Sequence, residues 1–369
     1  MINQRLQRGQ QIAEKSNQIE RIDDKNYKVK SQSDNNQYDV VSGELGWLCS
    51  CPDHMFRGVT CKHIHAVEFS LELRKKVASE IVIPTVNVNA CPQCHSDQIV
   101  KHGLRHNKYG DLQRYTCNNC YKRFTINLGF EKMHATPQVV TSAMQLYFTG
   151  ESLSNVQKFL RLQGVNVSHM GVYKWIRKYV TLMQKYLEQM KPKVSDVWRT
   201  DELYLKVKGN NKYLFALMDD ETRFWIAQQV ADKKNTSDIQ PLFKEGKKVA
   251  GKSPAVLISD GARNFHDAYN KEFFTLKSPR TKHIQHIRLQ GDNHNNKMER
   301  MNGEIRDREK TMRGLKKVET SILAGYQIFH NYIRTHEGLN NITPAEACGI
   351  KIEGENKWVT LIQNASFGD

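Results

Sequence analysis

Three carboxylates and eight thiols carry the chemistry this sequence could do. Asp201 lies in Trp198-Arg-Thr-Asp201-Glu-Leu-Tyr-Leu-Lys-Val-Lys-Gly209, Asp260 closes the apolar run Ala255-Val-Leu-Ile-Ser-Asp260-Gly261, and Glu299 lies in Asn295-Asn-Lys-Met-Glu299-Arg300. Carboxylate oxygens are the hard donors that Mg²⁺ and Mn²⁺ prefer, and a pair of such ions can run phosphodiester chemistry. The chain has 39 acidic residues, so three in order mean little without their flanks. Seven of the eight cysteines fall before residue 121, in two tight groups, and Cys348 stands apart as a partly buried small apolar residue.

The first group reads Cys49-Ser-Cys51, nine residues (52 to 60), then Cys61-Lys-His63. A strand end presents Cys49 and Cys51 on one face and a helix start presents Cys61 and His63, giving three thiolates and an imidazole for a tetrahedral Zn²⁺. His54 and His65 are bystanders. The pattern resembles a SWIM zinc finger, a module that binds DNA or protein. The second group, Cys91-Pro-Gln-Cys94 and Cys117-Asn-Asn-Cys120, brackets a polar stretch with a turn at 109–111. Two such knuckles complete an S₄ site for a second structural Zn²⁺, and the pattern resembles a zinc ribbon. Disulfides or a redox pair are the alternatives, disfavoured by a cytosolic setting.

Elements must place these groups. Residues 1–36 read as a polar N-terminal segment, 37–75 as the first zinc module, 80–89 as a linker or single strand, and 90–126 as the second module. Residues 134–192 read as three helices, with Pro137 at a first helical position, Ser152 starting the second and Ser168 capping the third. In the third, Val172, Trp175, Ile176 and Tyr179 share a face while Lys174, Arg177 and Lys178 lie largely elsewhere. This predicts a helix-turn-helix with a basic surface for DNA, against the plainer reading of a solvated helical linker. Strands are expected at 197–207, 212–218, 223–230, 255–259 and 284–287, with helices at about 236–249, 295–311 and 319–335.

With these flanks, residues 195–350 resemble the DDE transposase and retroviral-integrase superfamily, and within it the bacterial and archaeal insertion-sequence transposases. The W-x-x-D-E-x-Y-x-K-V-K-G opening, the S-D-G strand end, the N-N-x-x-E-R helix, the R-G-L-K-K run at 313–317 and the Asn331…Pro344 tail arrive in the family's order. The step from Asp260 to Glu299 (299 − 260 = 39) is longer than the family's usual one; an insertion around 277–292 absorbs it, and Glu304 is the alternative third carboxylate. The resemblance implies an RNase H-like catalytic domain in which Asp201, Asp260 and Glu299 hold two Mg²⁺ or Mn²⁺ ions, Asp201 bridging both. It implies cleavage at transposon ends, then attack of the freed 3′-OH on target DNA. Arg300, Arg306, Arg308, Arg313, Lys316 and Lys317 are then phosphate contacts or a solvated basic face.

The composition agrees: the net charge is +16, which attracts polyanions. No run reaches the ~20 apolar residues of a membrane span, and the N-terminus lacks the apolar centre of a signal peptide. The expectation is a multidomain protein: two small zinc modules, an all-α helix-turn-helix segment and an α/β RNase H-like domain. It is expected in the cytoplasm of a prokaryotic cell, at the nucleoid, as a homodimer or higher oligomer on DNA ends and target, with a protein partner at the SWIM-like finger as a further expectation. The rival reading is a catalytically silent DNA-binding regulator, which predicts lost carboxylates.

Overall fold

A computed structural model describes residues 4–13, 18–22, 25–32, 36–43, 46–77, 81–86, 90–91, 93–107, 110–125, 129–131, 133–275, 280–286, 296–312 and 321–367. The stretch read as a polar tail is built into the first module. Helix α1 (Gln4–Ala13) is followed by strands β1 (Ile19–Arg21) and β2 (Asn26–Lys30), which continue into β3 (Gln37–Gly43) and β4 (Gly46–Cys49) as one antiparallel sheet in chain order. Helices α2 (Pro52–Arg57) and α3 (Lys62–Val77) complete it. Ile12, Tyr27, Val29, Val40, Ile64 and Val67 form its core together with Cys49, Cys51 and Cys61. The polar composition of 1–36 hid this, because only alternate residues such as Tyr27 and Val29 point inward.

Strand β5 (Ile81–Ile83) crosses the molecule to pair, in parallel, with a strand near the C-terminus. Next come β6 (Ile99–Asn107), β7 (Gly110–Cys117) and β8 (Arg123–Thr125), a three-stranded antiparallel sheet. Of the turn expected at 109–111, Gly110 and Asp111 already belong to β7, paired with Asn107 and His106, and residue 109 lies outside the described residues.

Helices α4 (Pro137–Thr149), α5 (Leu153–Leu162) and α6 (His169–Leu187) each begin at a hydroxyl cap: Thr136, Ser152 and Ser168 accept from the backbone N–H of Val139, Asn155 and Gly171. The inward face of α6 is Val172, Ile176, Tyr179, Val180 and Met183, all buried. These side chains join the same apolar core as the sheet that follows, so the helical segment is packed on that sheet.

That sheet contains β9 (Val197–Val207), β10 (Asn210–Asp219), β11 (Trp225–Ala231), β12 (Val256–Asp260) and β13 (Lys282–His286), in the spatial order β11-β10-β9-β12-β13. The first three are antiparallel neighbours; β12 runs parallel to β9 and β13 parallel to β12. Helices α7 (Thr236–Ala250) and α8 (Arg263–Glu272) supply the crossovers a parallel pair requires. Gly246 of α7 faces the sheet, where an added Cβ would meet the end of the Leu217 side chain.

The chain then forms α9 (Asn296–Met312) and α10 (Ser321–Ile328), which runs into a π-helical turn at Phe329–Ile333. It closes with α11 (Pro344–Ala347), β14 (Ile350–Ile352), which is the partner of β5, and α12 (Lys357–Phe367). Trp358 on α12 stacks near Phe148 and Phe329 and donates its indole N–H to Gln145, tying the C-terminus to α4. No described helix is long and apolar enough to cross a membrane.

Candidate active site

The sheet places Asp201 and Asp260 side by side. The register of β9 against β12 runs Val197–Val256 to Arg199–Ile258, and two residues further along both strands lie Asp201 and Asp260. Side chains two apart share a face. A carboxylate oxygen of Asp201, one of Glu202 and one of Asp260 lie within 4.8 Å of one another. Asp260 ends its strand at the Asp-Gly step and accepts from the Ala262 N–H at 3.1 Å. Asp201 accepts from the Glu202 N–H at 2.9 Å and, through its other oxygen, from the Asn302 side chain at 2.8 Å.

Glu299 is exposed on the first turn of α9 and lies outside that tight group, but its charge reaches Asp201. Burial, then the neighbouring carboxylates Glu202, Asp260 and Glu299, push Asp201 up to about 7 against the bond from the Glu202 N–H. Burial and Asp260 raise Glu202 as well, and Lys234, 3.5 Å away, only partly offsets this. One Glu202 oxygen is buried without a hydrogen-bond partner. Three converging carboxylates, with the Glu299 charge in range and one lysine beside Glu202, form an oxygen-donor set short of positive charge, which fits hard divalent cations. The alternative third carboxylate, Glu304, is held elsewhere: Arg334 grips it with both guanidinium nitrogens, one at 2.9 Å.

Sequence reasoning missed Glu202 and Asn302. On an ideal strand Glu202 faces away from Asp201, so its neighbour's role gave it no claim. Asn302 had a usable signal, since it lies three residues after Glu299 on the same helical face.

Both cysteine groups converge. One ligand atom each from Cys49, Cys51, Cys61 and His63 lies within 4.8 Å of the others, as does one each from Cys91, Cys94, Cys117 and Cys120. His63 Nδ1 is 3.8 Å from Cys49 Sγ and 4.0 Å from Cys61 Sγ. The Cys91–Cys120 and Cys94–Cys117 sulfurs are 3.5 Å apart, far beyond a disulfide bond and close to the ~3.8 Å edge of a tetrahedron with 2.3 Å Zn–S bonds. All eight cysteines are free thiols.

Of the basic residues, Lys174, Arg177 and Lys178 are exposed on α6, and Arg300 and Arg306 on α9. Arg313, Lys316 and Lys317 lie outside the described residues. Arg308 does not face solvent as expected: it is 6% exposed, sits over the Tyr147 ring and donates to the Tyr147 carbonyl.

Residues 195–336 match the model of a family described as a DDE domain. Over 128 residues the chain is 30% identical to a transposase for the insertion sequence-like element IS431mec of Staphylococcus aureus. It is equally similar to the transposase for insertion sequence element IS257 in transposon Tn4003 of the same organism. Each match covers 34% of this chain and 55% of the relative, so the chain spans about half the length of these relatives. Among solved structures, the magnesium complex of the HTLV-2 integrase catalytic core is 16% identical, with a TM-score of 0.31 over 43% of this chain and 98% of that one. A simian T-cell lymphotropic virus intasome chain is 15% identical, also at 0.31, over 53% and 69%. Residues 195–336 of this chain are a DDE domain of the kind carried by insertion-sequence transposases.

Proposed function

We propose that the protein is a DNA transposase, a metal-dependent polynucleotidyl transferase that cleaves and joins DNA at transposon ends. The observation that carries this is the meeting of Asp201 and Asp260 on adjacent strands of the DDE domain, with Asp201 pushed up to about 7 by burial and by its carboxylate neighbours. Asp201, Asp260 and Glu299 would hold Mg²⁺ or Mn²⁺, with Glu202 a fourth oxygen donor at the same place. When bound, a pair of such ions supplies Lewis acidity to both the attacking and the leaving oxygen. The chain's own part is geometric. The Ala262 N–H and the Asn302 amide aim Asp260 and Asp201 at one point, and Lys234 limits the repulsion at Glu202. No side chain need form a covalent link to DNA.

The strand order β11-β10-β9-β12-β13, with one antiparallel and one parallel wing, supports an RNase H-like reading of this domain. Two structural Zn²⁺ ions would sit at Cys49/Cys51/Cys61/His63 and at Cys91/Cys94/Cys117/Cys120, making a SWIM-like finger and a ribbon. DNA would lie along Lys174, Arg177 and Lys178 of α6 and Arg300 and Arg306 of α9, continuing to Arg313 and Lys316. At least a dimer is needed to hold two ends together. All three carboxylates are present, which disfavours a silent regulator. The test is joining of labelled insertion-sequence end DNA to plasmid by the purified protein. Joined products with Mg²⁺ or Mn²⁺ and none with Ca²⁺ or no divalent ion are expected; joining without a divalent ion would defeat the proposal.

A further inference from the structure

Glu299 is exposed, and a basic residue lies two positions upstream of it, as one does upstream of Asp201. Arg199 precedes Asp201 by two on β9, and Lys297 precedes Glu299 by two on α9. Both reach one acceptor, Asp220, just past the end of β10. The Arg199 Nε donates to Asp220 Oδ1; the Lys297 ammonium lies 3.0 Å from the same oxygen and 2.9 Å from the Asp220 carbonyl. Arg199 and Asp220 are each 2% exposed and the Lys297 side chain 17%.

We infer that Lys297 and Asp220 are positioning residues for the metal site: they clamp the start of α9 so that Glu299 faces Asp201, an inference that rests on the metal-site reading above. Helix geometry carries the argument. Residues 297 and 299 are ~200° apart around the axis, so anchoring Lys297 beneath the helix turns Glu299 toward the opposite face. Asn302, one turn on, shares that face with Glu299 and delivers its amide to Asp201. The first turn is therefore pinned at Asp220 and the second at Asp201, and rotation about the axis is removed. A cation in the first turn opposes the helix dipole, so Lys297 is not there for the helix's own sake. Without Lys297, Asp220 still keeps the Arg199 guanidinium, whose Nε donates to the same carboxylate oxygen.

Asp220→Asn would remove the carboxylate facing the buried Arg199 and destabilise the fold as well, whereas Lys297→Met leaves the Arg199–Asp220 ion pair in place. The experiment is titration of the full-length protein with Mn²⁺ alone, followed by the electron paramagnetic resonance signal of free Mn²⁺, beside thermal melting in buffer without divalent ions. Lys297→Met is expected to weaken Mn²⁺ binding about 10-fold or more, as removal of a ligand's supporting group typically does. It should melt as the wild type does, and Lys297→Arg should restore binding. If Lys297→Met titrates like the wild type, the inference is overturned while the metal site stands. If it melts well below the wild type before any metal is added, the pair serves the fold and the inference is overturned again. A wild-type protein that leaves all Mn²⁺ free overturns the metal-site reading, and this inference with it.

Discussion

Asp201 carries a conflict the rest of the site is arranged around. It is largely withdrawn from water and has three carboxylates in range, so without a cation its charged form is disfavoured. Its folded pKa, about 7, lies above the ordinary carboxylate value of 3.8. The sign follows: the folded state holds the proton better, so the associated stability is complete below about pH 4 and is lost as pH rises through about 7. In buffer without divalent ions, Asp201→Asn should therefore melt above the wild type at pH 8, and the difference should vanish at pH 4. Equal melting temperatures at pH 8 would mean that Asp201 is not under this strain. At this scale the sequence was readable where motif and fold agree: Asp201 and Asp260 are where strand ends and alternation put them. Glu202 was not, because the strand's twofold alternation assigns it to the other face, and the buried Arg199 was not, because nothing local announces the partner Asp220 at the next strand's end.

Among the elements, the two cysteine modules differ in what sustains them. The first has a core of its own, with Ile12, Tyr27, Val29, Val40 and Val67 packed beside its thiols. Between residues 90 and 125 the only buried described residues are Cys91 and Cys117, and Val100 and Leu104 are nearly half exposed. A sheet of three short strands with no apolar interior cannot offset its chain entropy, so the proposed Zn²⁺ must do so. Chelation with 1,10-phenanthroline should make 90–125 the first segment cut in limited proteolysis, with 4–77 cut more slowly. Simultaneous cutting of both, or of 4–77 first, would contradict this division. The knuckle spacings and helix caps were legible because each is fixed by neighbours in sequence. Strand β5 could be seen only as a linker or lone strand, since its partner β14 is 269 residues away (350 − 81) and such pairings leave no local mark. The same holds for α12, whose Trp358 finds its place against Phe148 and Phe329.

For the whole molecule, the shared core matters most. Val140, Phe148, Ile176 and Tyr179 of the helical segment, Trp198 and Trp225 of the sheet, and Tyr326, Phe329 and Trp358 of the closing helices belong to one apolar cluster. A basic face on α6 is thereby held at a set position relative to the carboxylates. Composition marks the boundaries in this chain, but it does not mark the apolar faces that meet only in the fold and join the helical segment to the sheet. The charge of +16 sits on this frame and suits a polyanion, yet it cannot tell an enzyme from a binding protein. The measurement that does so is strand transfer of labelled end DNA by wild type and Asp260→Asn, run beside end-binding at the same protein concentrations. Binding within about twofold in both and a loss of joined product of about a thousandfold or more in the variant are expected. Joining that survives in Asp260→Asn with binding intact would contradict the assignment of these carboxylates and, with it, the proposed mechanism.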